Sequence, residues 1–177
     1  MLDIGTRPLP YSIVTLYQHM VAQPRCGGCC GEIEVDLEGQ SFGASYMLQA
    51  AQYYEYKLGH TPYKACEAFF GFSQVLPGAY SFFRWNAIRG QPLDVFFKNV
   101  RRSDIPTCSQ ANQYLAEDRV MCLQIYIKVK DGYRVEYIPE AKAVTDAPRD
   151  LATLLKQRRR WINGSMFGTK KVASKFC

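Results

Sequence analysis

The chain has 177 residues, of which 47% are apolar, 14% aromatic and 21% charged. That composition excludes a disordered, collagen-like or low-complexity chain, and the length suits one domain or a large part of a bigger one. The formal net charge is +6, and residues 141–177 alone hold nine Lys or Arg against two Asp, so the basicity belongs to the C-terminal segment.

No apolar run crosses a bilayer: the longest uncharged stretch, Pro8 to Pro24, is interrupted by Pro10 and His19. Seven cysteines are an odd count, and no signal peptide accompanies them. Cys26-Gly-Gly-Cys29-Cys30 contains a C-x-x-C that could open a zinc site. No second pair completes it, and His19 and His60 stand alone in the sequence. A structural zinc normally takes four ligands, so reduced cytosolic thiols are expected instead.

In chain order, Met1 to Gly5 reads as the end of a strand that enters a turn with prolines at 8 and 10. Ser12 then caps a helix with Ile13, Leu16, Tyr17 and Met20 on one side. Cys29 to Leu37 reads as a strand leaving a glycine-rich turn, and 43–58 as a helix that ends near Gly59. Phe72 to Ala79 is strand-like around Pro77-Gly78, and Gln110 to Lys130 begins helical. Val135 to Val144 alternates as a strand, and Pro148 opens a last helix through Trp161. Alternating strands and helices predict an α/β layered sheet, with no internal repeat or linker that divides the chain.

Four segments carry more than scaffold chemistry. Asp3, in Leu2-Asp3-Ile4-Gly5-Thr6, is an acid at a strand's C-terminal end, where α/β sheets bind ligands and a carboxylate can hold a metal on a diphosphate; an Asp bonding its own turn is the plainer reading. Glu117-Asp118-Arg119 opens an apolar helix, where the dipole favours acids, and a carboxylate held ionised beside Arg119 is also what a general base requires. Gln157, Arg160 and Trp161 share one helix face within Gln157-Arg158-Arg159-Arg160-Trp161. Arg forks suit a pyrophosphate, and the indole offers a flat surface for a sugar or base. The Pro77-Gly78 break in Val75 to Ser81 brings backbone close to a ligand or to another strand.

Taken in order, LDIGT, CCGEIEV, QYYEYK, VLPGAYSFFRW, AEDRVMCLQI, YIPEAKAVTDAP and LLKQRRRWINGS resemble the catalytic core of chitin synthases, from Leu2 to about Phe167. The resemblance implies the C-terminal portion of a GT-A type (Rossmann-like) glycosyltransferase domain, a mixed sheet flanked by helices. Residues 1–167 would form this partial catalytic domain, and 168–177 a basic tail leading toward a membrane region.

Its implied activity is processive, inverting transfer of GlcNAc from UDP-GlcNAc to the 4-hydroxyl of a growing β-1,4 chitin chain, with divalent magnesium or manganese. Asp118 corresponds to the catalytic base, with Glu117 beside it in the same triplet. Asp3 is the implied metal ligand, in a D-x-G form where many relatives have D-x-D. Arg158 and Arg160 would neutralise the leaving UDP, Gln157 and Trp161 would form the acceptor end, and Arg119 and Gly78 complete the substrate-binding set.

By the same resemblance, the uracil-binding half would precede Met1 and channel helices would flank the core. The chain then reads as a piece of a multi-pass plasma-membrane enzyme, with this part facing the cytoplasm. Expressed alone it is expected to be poorly soluble and inactive. No nucleic-acid partner is implied, and homo-oligomer formation stays open. The competing readings are a cellulose or hyaluronan synthase, a non-catalytic scaffold paralogue and, from the basic C-terminal run, an RNA-binding module.

Overall fold

Two long strands rich in small and β-branched residues organise the chain, because each can be packed closely from both faces. The computed structural model describes residues 1–39, 41–70, 73–100, 117–127 and 132–176. The first long strand is β2 (Cys26–Val35), and the second, β4 (Arg134–Thr145), runs parallel beside it. The short strands β1 (Thr6–Pro8) and β3 (Ser81–Phe83) add antiparallel at the two edges, giving the order β1-β4-β2-β3 among the described residues. This is the mixed α/β sheet that the sequence predicts. Each parallel strand needs a long crossover, and α1 (Ser12–Ala22), α2 (Ala44–Leu58), α3 (Ala65–Phe69), α4 (Trp85–Ile88), α5 (Gln91–Val100), α6 (Glu117–Ile127) and α7 (Leu151–Phe176) flank the sheet.

Apolar side chains fill both faces. Leu16 and Met20 of α1 pack with Cys26, Cys29, Ile33, Tyr80, Ile138 and Ala143 on one side. Cys30 and Val135 pack with Leu76, Cys122 and Ile125 on the other. The parallel register slips between Gly31 and Glu32, so that Gly31 faces Ile138 while Glu32 faces Lys142. The intervening Pro139 cannot donate to a ladder, which suits it to this irregular stretch. A Cβ on Gly31 would lie 1.8 Å from the Ala141 carbonyl oxygen, so only glycine lets the two strands meet here.

Several local expectations are corrected. The expected glycine-rich turn before Cys29 lies inside β2, because neighbours press on Gly27 and Gly28. Residues 6–8, expected as a turn, form a strand, since Thr6 to Pro8 pair with Thr145 to Ala143. Ser12 does not cap α1: its hydroxyl donates to the Lys142 carbonyl at 2.6 Å and accepts from the Lys142 N–H at 3.1 Å. That seat turns Ser12, Leu16 and Met20 inward and leaves Ile13 and Tyr17 exposed.

The helix over 43–58 does not stop at Gly59 but passes through a π-helical turn, Gly59–Lys64, into α3. Pro62 inside that turn lacks an N–H, which favours the wider winding. The segment before Ala79 is an irregular loop instead of a strand, and the pairing begins at Tyr80. Asp150, not Pro148, marks the start of α7: its carboxylate accepts the Thr153 N–H at 2.8 Å. Phe72, Gln110 to Ala116 and Lys128 to Lys130, parts of the expected strand and helix, lie outside the described residues.

Candidate active site

The N-terminal residues pair with the Pro-Gly loop instead of standing free. Leu2 bridges Tyr80, the Ser81 N–H donates to the Met1 carbonyl at 3.1 Å, and the Asp3 N–H donates to the Ala79 carbonyl at 3.2 Å. The Thr6 N–H returns to the Asp3 carbonyl at 3.1 Å, turning the chain at Ile4-Gly5 beside Asp146. Gly5 has φ +92°, a conformation that its missing side chain permits.

The loop itself is clamped from the other side. The Ser73 N–H donates to the Tyr126 hydroxyl at 2.7 Å and the Leu76 N–H to the Cys122 sulfur at 3.1 Å, both on α6. Lys64, buried at the end of the π-turn, donates to the Val75 carbonyl. These bonds carry Gly78 to the first turn of α6, where its N–H points to Asp118 Oδ2 at 3.4 Å. The other carboxylate oxygen, Oδ1, accepts the Arg119 N–H at 2.7 Å.

Burial pushes the Asp118 carboxyl above the ordinary carboxylate range, against the N–H donors of Arg119 and Gly78 and the charges of Arg119 and Lys64. Glu117 is raised too, by burial first and then by the negative charges of Asp118 and Asp3, with Arg160 opposing them. Asp3, Gly78, Glu117, Asp118, Arg119 and Arg160 therefore belong to one electrostatic neighbourhood. A half-buried carboxylate with a raised pKa is a better proton acceptor than an exposed one.

The second part of the site is the middle of α7. Arg158 Nη2 donates to Glu55 Oε2 at 2.6 Å, and its guanidinium lies 4.3 Å from the centroid of the Trp161 ring. Trp161 also meets Tyr56, with centroids 6.4 Å apart and planes at 56°. Gln157 Oε1 and Arg158 Nη1 are buried without a hydrogen-bond partner among the described residues. Gln157, Arg158 and Trp161 are half-buried, whereas Arg159 and Arg160 are exposed. Tyr56 senses both Arg158 and Asp3, which sets this part next to the acidic one. Arg158, expected at a pyrophosphate, is thus already committed to Glu55 and Trp161, and Arg160 is the freer cation.

Two glutamines hold the start of α7 in place. Gln49 and Gln52 of α2 donate to the Ala147 and Pro148 carbonyls at 3.1 and 2.8 Å. The sequence had given Glu55, Tyr56 and Lys64 no role. The first two sit in the quoted QYYEYK stretch, while a lone Lys64 offered no signal.

With this geometry established, comparison with known proteins is decisive. The model of the chitin synthase-like glycosyltransferase domain matches residues 1–176. The chain belongs to that family. Chitin synthase 2 of Mycosarcoma maydis is 39% identical over 172 residues, covering 96% of this chain and 16% of the relative. Chitin synthase 1 of Saccharomyces cerevisiae is 38% identical over 170 residues, covering 96% of the chain and 15% of the relative. Chitin synthase 1 of Phytophthora sojae is 36% identical over 170 residues, covering 96% and 18% respectively. The chain spans less than a fifth of these curated relatives. Among the described residues of this chitin synthase-like domain, no helix is long and apolar enough to cross a membrane.

Proposed function

We propose that this chain is part of the catalytic core of a chitin synthase, which transfers GlcNAc from UDP-GlcNAc to the 4-hydroxyl of a β-1,4 chain with inversion. The observation that carries this reading is Asp118: it is half-buried, its pKa is raised, and the Gly78 loop and the first turn of α6 hold its carboxylate. Asp118 takes the proton of the acceptor hydroxyl as that oxygen attacks the anomeric carbon. One in-line displacement inverts the centre and needs one base, unlike the carboxylate pair of a retaining glycosidase.

Departure of UDP requires charge neutralisation, and exposed Arg160 beside the acidic group suits this role. The oxygen donors of exposed Asp3, with Glu117 in its field, fit a hard divalent ion such as magnesium or manganese. When bound, such an ion supplies charge neutralisation at the diphosphate. Trp161 and Gln157 form the acceptor end, and the indole has one face against Arg158. Arg119 and Gly78 hold the base by their N–H groups.

The intact protein is read as a multi-pass enzyme of the plasma membrane, with this domain on the cytoplasmic side. A cellulose or hyaluronan synthase and an RNA-binding module are not favoured, because the family and the curated relatives are those of chitin synthases. The test offers the intact protein UDP-GlcNAc, UDP-glucose and UDP-glucuronate with magnesium, and measures UDP release and insoluble product. Polymer from UDP-GlcNAc alone, degraded by chitinase, is the expected result. Polymer from UDP-glucose instead would overturn the reading.

A further inference from the structure

A second group of ligating side chains lies at the N-terminal ends of the parallel strands, where the transfer reaction has no use for it. His19 is in the later part of α1, Cys26 opens β2, and Glu136 is the third residue of β4. An imidazole nitrogen, the Cys26 sulfur and a Glu136 carboxylate oxygen all lie within 4.8 Å of one another. His19 Nε2 is in direct contact with Glu136 Oε2. The acidic site lies toward the other end, because Asp3 is tied to Thr6, whose strand partner is the last residue of β4.

Strand geometry explains how a fourth donor comes near. Residues three apart on a regular strand face opposite sides of the sheet. The register shift between Cys26 and Gly28 breaks that alternation, so Cys26 and Cys29 enter the same buried cluster, thiol against thiol. The C-x-x-C that lacked a second pair in the sequence thus finds His19 and Glu136 through the fold.

The frame around the group is braced by backbone bonds that involve none of the donor atoms. Arg84 Nε donates to the Cys26 carbonyl at 2.9 Å, and its Nη2 donates to the Gln23 carbonyl at 3.1 Å and to that of Met20. The Arg134 N–H donates to the Arg25 carbonyl at 2.8 Å. The end of α1 and the starts of β2 and β4 are therefore fixed to one another before any ion arrives, and preorganised donors cost less to gather.

We propose that His19, Cys26 and Glu136 form a binding site for a zinc-class divalent ion, separate from the transfer site. Imidazole and thiolate prefer such ions to magnesium or calcium. A tetrahedral zinc needs donors roughly 3.2–3.8 Å apart, given bonds of about 2.0–2.3 Å, so side-chain adjustments within the observed spacing suffice. On binding, the Cys26 thiol loses its proton to solvent. Thiolate and carboxylate then balance the two positive charges, and neutral imidazole supplies a lone pair. The fourth position falls to the Cys29 sulfur or to water. The ion would pin α1 to both parallel strands.

The test uses the intact protein, stripped with a chelator and titrated with cobalt(II), then with zinc as competitor. A thiolate-to-cobalt absorption band should appear and be displaced by zinc. It should be lost in Cys26→Ser, or weakened and shifted with Cys29 as the fourth donor, and the affinity should fall at least about tenfold in His19→Gln and Glu136→Gln, since even outer-shell losses cost that much. It should be unchanged in Cys66→Ser, whose cysteine is exposed and away from the group. Should Cys26→Ser not fold, zinc-edge X-ray absorption of the wild-type protein must show sulfur at about 2.3 Å together with imidazole nitrogen. A cobalt spectrum identical in wild type and Cys26→Ser, or a zinc shell of oxygen and nitrogen only, overturns the proposal and leaves a plain His19–Glu136 hydrogen bond. Glycosyl transfer does not enter the readout, so its failure and the failure of this site are separable.

Discussion

The Gly78 N–H points at Asp118 Oδ2 from 3.4 Å, joining a loop and a helix that are forty residues apart in sequence. A Cβ on Gly78 would stand 3.9 Å from that of Asp118 and 3.8 Å from Met1 Cε, so the approach leaves room for a methyl group. Those are ordinary van der Waals separations, in contrast with the 1.8 Å at Gly31.

Gly78→Ala should therefore fold with a stability change of less than about 1 kcal/mol. Gly31→Ala should be severely destabilised, because the two parallel strands would have to separate. Thermal unfolding of the pair checks this. Equal melting points would show that the close approach at the register slip is not a constraint.

A second prediction concerns pH. With the folded pKa of Asp118 raised by burial, the unfolded chain holds fewer protons than the folded one between the ordinary Asp value and the raised one. Stability contributed by this group is full below the ordinary value and is lost as pH rises through the raised one. Asp118→Asn should remove that loss and make the protein more stable at neutral pH. In the wild type the acid limb of activity should lie above that of an ordinary aspartate. Denaturant midpoints across pH for both proteins check the sign, and a neutral-pH loss of stability in Asp118→Asn contradicts it.

Much of this arrangement was legible in the sequence. Glu117-Asp118 in a first helical turn and the helix that carries Gln157 to Trp161 are local patterns, and both helices form. What escaped the sequence depends on partners far along the chain. Thr6 to Pro8 become a strand only because Ala143 to Thr145 lie beside them. Ser12 turns from cap to anchor because Lys142 is there to be bonded. His19 looked solitary until the parallel pairing of β2 and β4 brought Glu136 to it.

The buried acid Glu32 provides a third test. Lys57 reaches Glu32 and Glu34 at 2.6 Å each, and Lys142 reaches them at 3.3 and 3.2 Å. Burial alone would push the Glu34 carboxyl up, but hydrogen bonds and charges from the two lysines hold it below the usual range. Its contribution is present above the ordinary Glu value and is lost as pH falls through the depressed one. Lys57→Met should cost about 1–3 kcal/mol at pH 7, since it leaves Glu32 partly unpaired, and less near pH 3. A pH-independent cost would contradict the assignment.

Arg158 and Trp161 should act as a unit, given 4.3 Å between guanidinium and ring. Trp161→Ala should weaken acceptor engagement and processivity, and Arg160→Ala should weaken UDP binding and steepen the metal dependence. The double change Arg158→Ala with Trp161→Ala should show a coupling of about 0.5–2 kcal/mol in stability. Strict additivity would show that the two side chains do not act as a unit, and a nucleotide-binding defect common to Trp161→Ala and Arg160→Ala would make the indole a structural residue only.

The most direct test of the account is Asp118→Asn in the intact enzyme, assayed for chitin formation and for UDP-GlcNAc binding in parallel. The amide keeps the shape of the carboxylate and its place beside Gly78 but cannot accept the acceptor's proton. Polymer formation should fall by about a hundred- to ten-thousand-fold while UDP-GlcNAc affinity stays within a few-fold. Near-normal turnover in Asp118→Asn would contradict the assignment of this residue as the base.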